Sequence, residues 1–192
     1  MTTRDNKIIA LPNNHLRHRS QKVGLITDDI RQIIEDMKAA TLTWEDSRKY
    51  ELGVALSAVQ IDKLYRIFIL REDLENKQNR TFSIFINPVI TKYEGKIVED
   101  FEGCLSVKDI YGRVPRFEQV RIKATDINGH EFRLTAQGFI ARVLQHEIDH
   151  INGKLFIDQI KDNPEAFFSL GSDGKLNEID YEKVIKKSSL FR

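Results

Sequence analysis

Residues 137–152 limit what this chain can fold into more than any other stretch, because they read as a helix that is apolar on nearly every face. Phe139, Ile140, Val143, Leu144, Ile148 and Ile151 recur at helical spacing, and Gly153 stands where helices commonly end in left-handed backbone. Such a helix has no side free for solvent, so the rest of the chain has to be built around it. The same stretch carries His146-Glu147-Ile148-Asp149-His150. With ~3.6 residues per turn, positions four apart project from one face, so both imidazoles can reach one cation while Glu147 sits beside them as a proton carrier.

Around that helix the spacing predicts an α+β fold: antiparallel β-sheets packed on a central metal-binding helix, with an N-terminal helix and a peripheral C-terminal tail. Thr27 followed by Asp28 and Asp29 is an N-cap with an acidic first turn, and Ile30, Ile33, Ile34 and Met37 then share a face, which predicts a helix over 28–42. Residues 65–71 and 81–87 are rich in β-branched and aromatic side chains, the polar stretch 72–80 between them reads as a loop, and Pro88 is expected to limit pairing after the second strand. Val120, Ile122 and Ala124 alternate with polar residues, Asn128-Gly129 turns the chain, and Phe132, Leu134 and Ala136 follow, as in a β-hairpin with one buried face. After Asp158 the chain becomes polar. Residues 1–160 are therefore expected to form the catalytic domain and 161–192 a peripheral extension. Ser172 to Asp180 superficially resembles a calcium loop, but alternating acidic ligands and a closing Glu are missing, so an ordinary turn is expected.

At 192 residues, 41% hydrophobic and 31% charged, the chain suits one globular domain with at most a small appendage. Its net charge of +1 is spread along the sequence, which makes no electrostatic case for DNA or a membrane surface. The run Ile8 to Leu11 is too short for a signal-peptide core, and no uncharged stretch approaches the ~20 residues needed to span a bilayer, so a cytoplasmic protein is expected. Composition leaves the oligomeric state open.

Two histidines leave a cation short of a third protein ligand. Cys104, the only cysteine, cannot form an intramolecular disulfide and offers a soft thiolate in Glu102-Gly103-Cys104-Leu105-Ser106. Cys104, His146 and His150 plus a water make an open site of the catalytic kind, whereas closed structural sites normally use four protein ligands.

Here the chain resembles the peptide deformylases, through three motifs in the family's order across about residues 8–160. Gln145-His146-Glu147-Ile148-Asp149-His150, with the following Ile151-Asn152-Gly153-Lys154-Leu155-Phe156, is similar to the family's helix motif, and residues 102–106 are similar to its cysteine motif. Gly53-Val54-Ala55-Leu56-Ser57-Ala58-Val59-Gln60 corresponds to a segment usually written G-x-G-L-A-A-x-Q; it departs from that pattern at Ala55 and Ser57, and Val59 stands where many members have proline. The resemblance implies removal of the N-formyl group from the starting methionine of new polypeptides, with one divalent metal, Fe2+ in cells and Zn2+, Ni2+ or Co2+ as alternatives in a purified protein. Glu147 is expected to serve as base and then acid, and the resemblance assigns the Gln60 amide and the Leu105 N–H as donors to the formyl oxygen. A main-chain track along Gly53, Val54, Ala55 and Gly103 would bind N-formylmethionyl peptides as an added strand. Val54, Phe139, Val143 and the stem of Arg142 are pocket candidates by family position.

Glu102 is expected either to orient a metal-binding imidazole or to form an ion pair with Arg113 or Arg116. Asp149 is expected to pair along the helix surface, and Gln145 has no partner that the sequence identifies. Lys183, Lys186, Lys187 and Arg192 loosely resemble a basic tail that docks some deformylases on the ribosome. A metalloprotease is the first rival, but no histidine follows His150 to act as a downstream ligand. A deformylase-like binder without turnover is the second, because the Ala55 methyl could crowd the peptide backbone.

Overall fold

The computed structural model describes residues 7–49, 51–188 and 190–191. Helix α1 (Asp28–Asp46) starts at Thr27, whose side chain accepts from the Ile30 N–H. It runs past the expected residue 42 because its last turn is anchored. Glu45 is fully buried there and accepts from Arg71 at 2.5 Å and from the Gly53 N–H at 2.9 Å.

Among the described residues, seven strands form one antiparallel sheet. They are β1 (Ala55–Ser57), β2 (Ile67–Arg71), β3 (Phe82–Cys104), β4 (Val107–Thr125), β5 (Glu131–Gln137), β6 (Phe167–Leu170) and β7 (Leu176–Glu178). Pro88 does not stop β3. The register shifts between Ile86 and Val89, Asn87 takes φ 52°, and its side-chain amide pairs with the Val23 backbone at 2.9 and 2.8 Å. A bulge of this kind accepts a proline because the ladder there needs no N–H. The long β3–β4 pairing then carries Cys104 far from the start of its strand.

One edge of β4 is shared: Ile110–Gly112 pair with β6 and Gln119–Thr125 with β5. Helix α2 (Gly138–Ile151) lies against the stretch between them. Phe117 donates its N–H to Gln145 Oε1 at 3.1 Å, and Gln145 Nε2 donates to the Phe117 carbonyl at 2.8 Å. The Gln145 amide therefore substitutes for a missing strand, pairing both the N–H and the carbonyl of the part-buried Phe117.

Strand β2 is buried on both faces, which explains its unbroken apolar run. Phe68 and Leu70 pack with Val143, Leu144 and Ile148 of α2, whereas Ile67 and Ile69 pack with Ile30, Ile34 and Met37 of α1. The expected central helix is thus present, with the sheet between it and α1.

The tail is peripheral only in position. Strands β6 and β7 form the outer edge of the sheet, and Ser172–Gly174 lie in the turn joining them. Ala166, Phe167 and Ile185 pack with Phe156, Ile157 and Ile160 of α3 (Phe156–Ile160) and with Val107 and Val114 of β4. Ile185 is 0% exposed, so the peripheral extension is also docked: a few well-spaced apolar residues suffice to hold it. Arg192 lies outside the described residues. Among the described residues no helix is long and apolar enough to cross a membrane.

Candidate metal centre

His146 and His150 stand one turn apart on α2, and the β3–β4 turn delivers Cys104 to them. The three donor atoms lie within 4.8 Å of one another, the one such group of three found among the described residues. Cys104 Sγ is 3.1 Å from His150 Nε2. His146 Nδ1 lies 2.9 Å from Glu102 Oε2, which directs its other ring nitrogen inward. His150 Nδ1 is buried with no hydrogen-bond partner, so its useful nitrogen is also the one facing Cys104. One thiolate and two imidazoles with no fourth protein donor fit a divalent transition metal with an open position.

Glu102 takes both roles that the sequence left as alternatives. Besides His146 it accepts from Arg116 Nε at 2.9 Å and Nη2 at 3.1 Å, and from Arg142 Nη1 at 2.9 Å. Arg113 instead sits beside Glu99 at the surface. Arg116 continues to Asp149 at 2.5 Å, so Asp149 pairs across to β4 rather than along its own helix. Burial alone would raise the Glu102 carboxyl, but hydrogen bonds from His146 and Arg116 outweigh it and hold it at about 2. Burial likewise opposes the proton on both rings; Cys104 and Glu102 nevertheless raise His146 well above its ordinary value, while His150, facing that charge, is lowered.

A cavity of about 310 Å³ opens beside these ligands. It is lined by Val54 and Ala55 before and within β1, by Gln60, by Gly103, Cys104 and Leu105, and by Phe139, Arg142, Val143, His146 and Glu147 of α2. Gly53 does not line it. A side chain there would collide with Thr41 Cγ2 at 2.5 Å, its N–H goes to Glu45, and its carbonyl accepts from Arg71 Nε at 3.1 Å. Gly53 thus serves the α1 contact rather than the peptide track. Arg142 borders the cavity, but its guanidinium is spent on Glu102 and on the carbonyls of Val98, Asp100 and Val114. Phe139 is 51% exposed, so this part of the apolar helix forms the cavity rim instead of core.

Sequence reasoning missed Trp44, Phe101 and Tyr111, which also line the cavity. Phe101 shares a strand face with Gly103 by the two-residue period, a signal that was available. Tyr111 is the register partner of Gly103, and a Cβ on Gly103 would meet its ring at 2.5 Å; only the strand pairing shows this.

Glu147 is buried at the cavity, and burial raises its carboxyl although the His146 charge and a Ser57 hydrogen bond oppose the shift. Ser57 Oγ lies 2.6 Å from Glu147 Oε2. Gln60, on a 3-10 turn (Ala58–Ile61), directs Nε2 toward Ser106 Oγ at 3.1 Å and Cys104 Sγ at 3.6 Å. Two of the three candidate metal donors, Cys104 and His146, therefore meet a buried carboxylate and an amide donor on one cavity, with His150 within 4.8 Å behind them.

Residues 5–165 match the family model for polypeptide deformylases. The chain belongs to that family. It is 37% identical over 186 residues to a peptide deformylase of Blochmanniella pennsylvanica, covering 97% of this chain and 94% of that protein. Peptide deformylase 1 of Pseudomonas syringae pv. tomato is 36% identical over 154 residues, covering 80% and 85%. The crystal structure of a Synechococcus elongatus peptide deformylase in complex with actinonin superposes with a TM-score of 0.70 at 34% identity, covering 79% of this chain and 76% of that one. This deformylase is thus a hydrolase that removes the N-formyl group from newly made polypeptides, and the protease and non-enzymatic rivals find no support.

Proposed function

We propose that Cys104, His146 and His150 hold one divalent cation, iron(II) in cells, that Glu147 is the base and then the acid, and that Gln60 and the Leu105 N–H serve the formyl oxygen. The observation that carries this reading is that Gln60, Cys104, Leu105, His146 and Glu147 line one cavity, with His150 behind them within 4.8 Å of the other two donor atoms. Zinc(II), nickel(II) and cobalt(II) suit the same donors. When bound, the cation would supply Lewis acidity to a water and to the formyl carbonyl.

The chain's own residues do the rest. Glu147 takes a proton from the water as its oxygen bonds to the formyl carbon. The charge that develops on the formyl oxygen meets the Gln60 amide and the Leu105 N–H, and losing one such donor typically costs ~3 kcal/mol. The carbon–nitrogen bond then breaks, and Glu147 returns the proton to the departing amine, leaving formate and a free amino terminus. Burial strengthens Glu147 as a base by raising its affinity for the proton. The N-formylmethionyl peptide would lie along Val54, Ala55 and Gly103, with its methionine side chain among Val54, Phe139, Val143 and the Arg142 stem.

The reading places the enzyme in the cytoplasm, where new chains emerge. Docking of the tail on the ribosome would have to use lysines that are partly neutralised, since Lys183 pairs with Asp180 at 2.8 Å and Lys186 with Glu182 at 3.0 Å. Such docking would be weak, and co-sedimentation with ribosomes should vanish steeply with salt.

Formate release from formyl-Met-Ala by the metal-loaded protein tests the assignment. Glu147→Ala should keep its metal, since Glu147 is not a ligand, and lose at least ~10²-fold in turnover. Turnover at the parent rate would remove Glu147 from the mechanism.

A further inference from the structure

Ser57 closes β1 and is fully buried. Side chains alternate along this short strand: Ala55 packs with Val143 and Leu144 of α2, Leu56 with α1, and Ser57 turns back toward α2. Its Oγ lies 2.6 Å from Glu147 Oε2 and 3.2 Å from the Glu147 backbone oxygen. A hydroxyl has one proton to give, and the nearer, charged acceptor makes the stronger bond, so the proton goes to the carboxylate. The Ser57 N–H donates to Gln60 Oε1 at 2.8 Å.

That second bond decides how Gln60 points. Nitrogen and oxygen ends of an amide look alike in shape, but only the oxygen can accept from Ser57, so Nε2 must face Ser106, Cys104 and the cavity. Among the described residues, no other hydrogen bond reaches the Glu147 side chain. Without the Ser57 hydroxyl, Glu147 would border about 310 Å³ of free space with nothing to hold its carboxylate in one orientation.

We infer that Ser57 is a positioning residue for both groups, holding Glu147 Oε2 through its hydroxyl and the Gln60 amide through its N–H, so that Glu147 Oε1 is the oxygen left for the reacting water. The inference rests on the roles given above to Glu147 and Gln60. The segment as the family usually writes it has alanine at this position, which keeps the N–H but has no hydroxyl. Alanine is therefore a substitution the fold accepts, and it removes only the contact to Glu147.

Ser57→Ala should lower kcat for formyl-Met-Ala by ~10-fold through misplacement of the base, with KM within about twofold of the parent. Bound metal per chain and the melting temperature should match the parent, and a crystal structure of the metal-free variant should show the Glu147 carboxylate displaced or in several orientations. A variant with the parent kcat and an unmoved Glu147 would overturn the inference, as would a raised KM at unchanged kcat. Glu147→Ala, assayed in parallel, separates the two levels. If it loses its rate while Ser57→Ala does not, the positioning idea alone fails; if it keeps its rate, the base assignment fails and the positioning idea with it.

Discussion

Replacing Glu102 by glutamine keeps the side chain's shape but removes the negative charge shared by Arg116, Arg142 and the His146 ring. The folded carboxyl titrates at about 2 against an ordinary 4.5, so its contribution to stability is complete above the ordinary value and is lost as pH falls through the folded one. The gap between those values corresponds to roughly 3 kcal/mol at neutral pH. Near pH 3 less than half of that remains, because the unfolded carboxyl is by then protonated. For a chain of this size, where each kcal/mol moves Tm by ~2–4 °C, metal-free Glu102→Gln should melt roughly 6–12 °C below the parent near pH 7. The gap should shrink to less than half near pH 3. Metal affinity should fall ~10–100-fold as well, since glutamine's uncharged amide can present either a donor or an acceptor to His146 Nδ1 and no longer enforces one tautomer. Thermal scans of the metal-free proteins at the two pH values, with a metal titration at neutral pH, provide the comparison. A variant that melts with the parent at neutral pH, or a gap that stays constant into acid, would refute the account of Glu102 as a charge held by its partners.

Cys104→Ser should reduce the metal retained through a desalting column, because a poor neutral ligand replaces the thiolate; equal retention would mean that the sulfur is not a ligand. Ile185→Ala should cost ~2–5 kcal/mol of unfolding free energy in a denaturant titration, since it opens a hole in a packed cluster; a cost below ~1 kcal/mol would show that the tail does not bear on the core.

How much of this was legible in the sequence depended on how far each partner lay along the chain. The paired histidines and Glu147 could be read directly, because helical geometry fixes positions four apart whatever surrounds them. Cys104 followed from being the only cysteine, the N-cap at Thr27 and the turn at Asn128-Gly129 from local chemistry, and the family motifs from order and spacing. Only the tertiary structure decided the rest. Pro88 looked like an end until the Asn87 side chain was seen pairing with Val23, and Gly53 looked like part of a peptide track until Thr41 was found against it. The Arg142 stem borders the cavity as expected while its guanidinium also clamps strand carbonyls, the tail's spaced apolar residues pack into a buried cluster, and Ser57, in the sequence only a departure from a pattern, contacts Glu147. Periodicity and capping act within a few residues, whereas each of these contacts joins segments brought together only when the sheet closes over α2, and no local pattern records which face meets which.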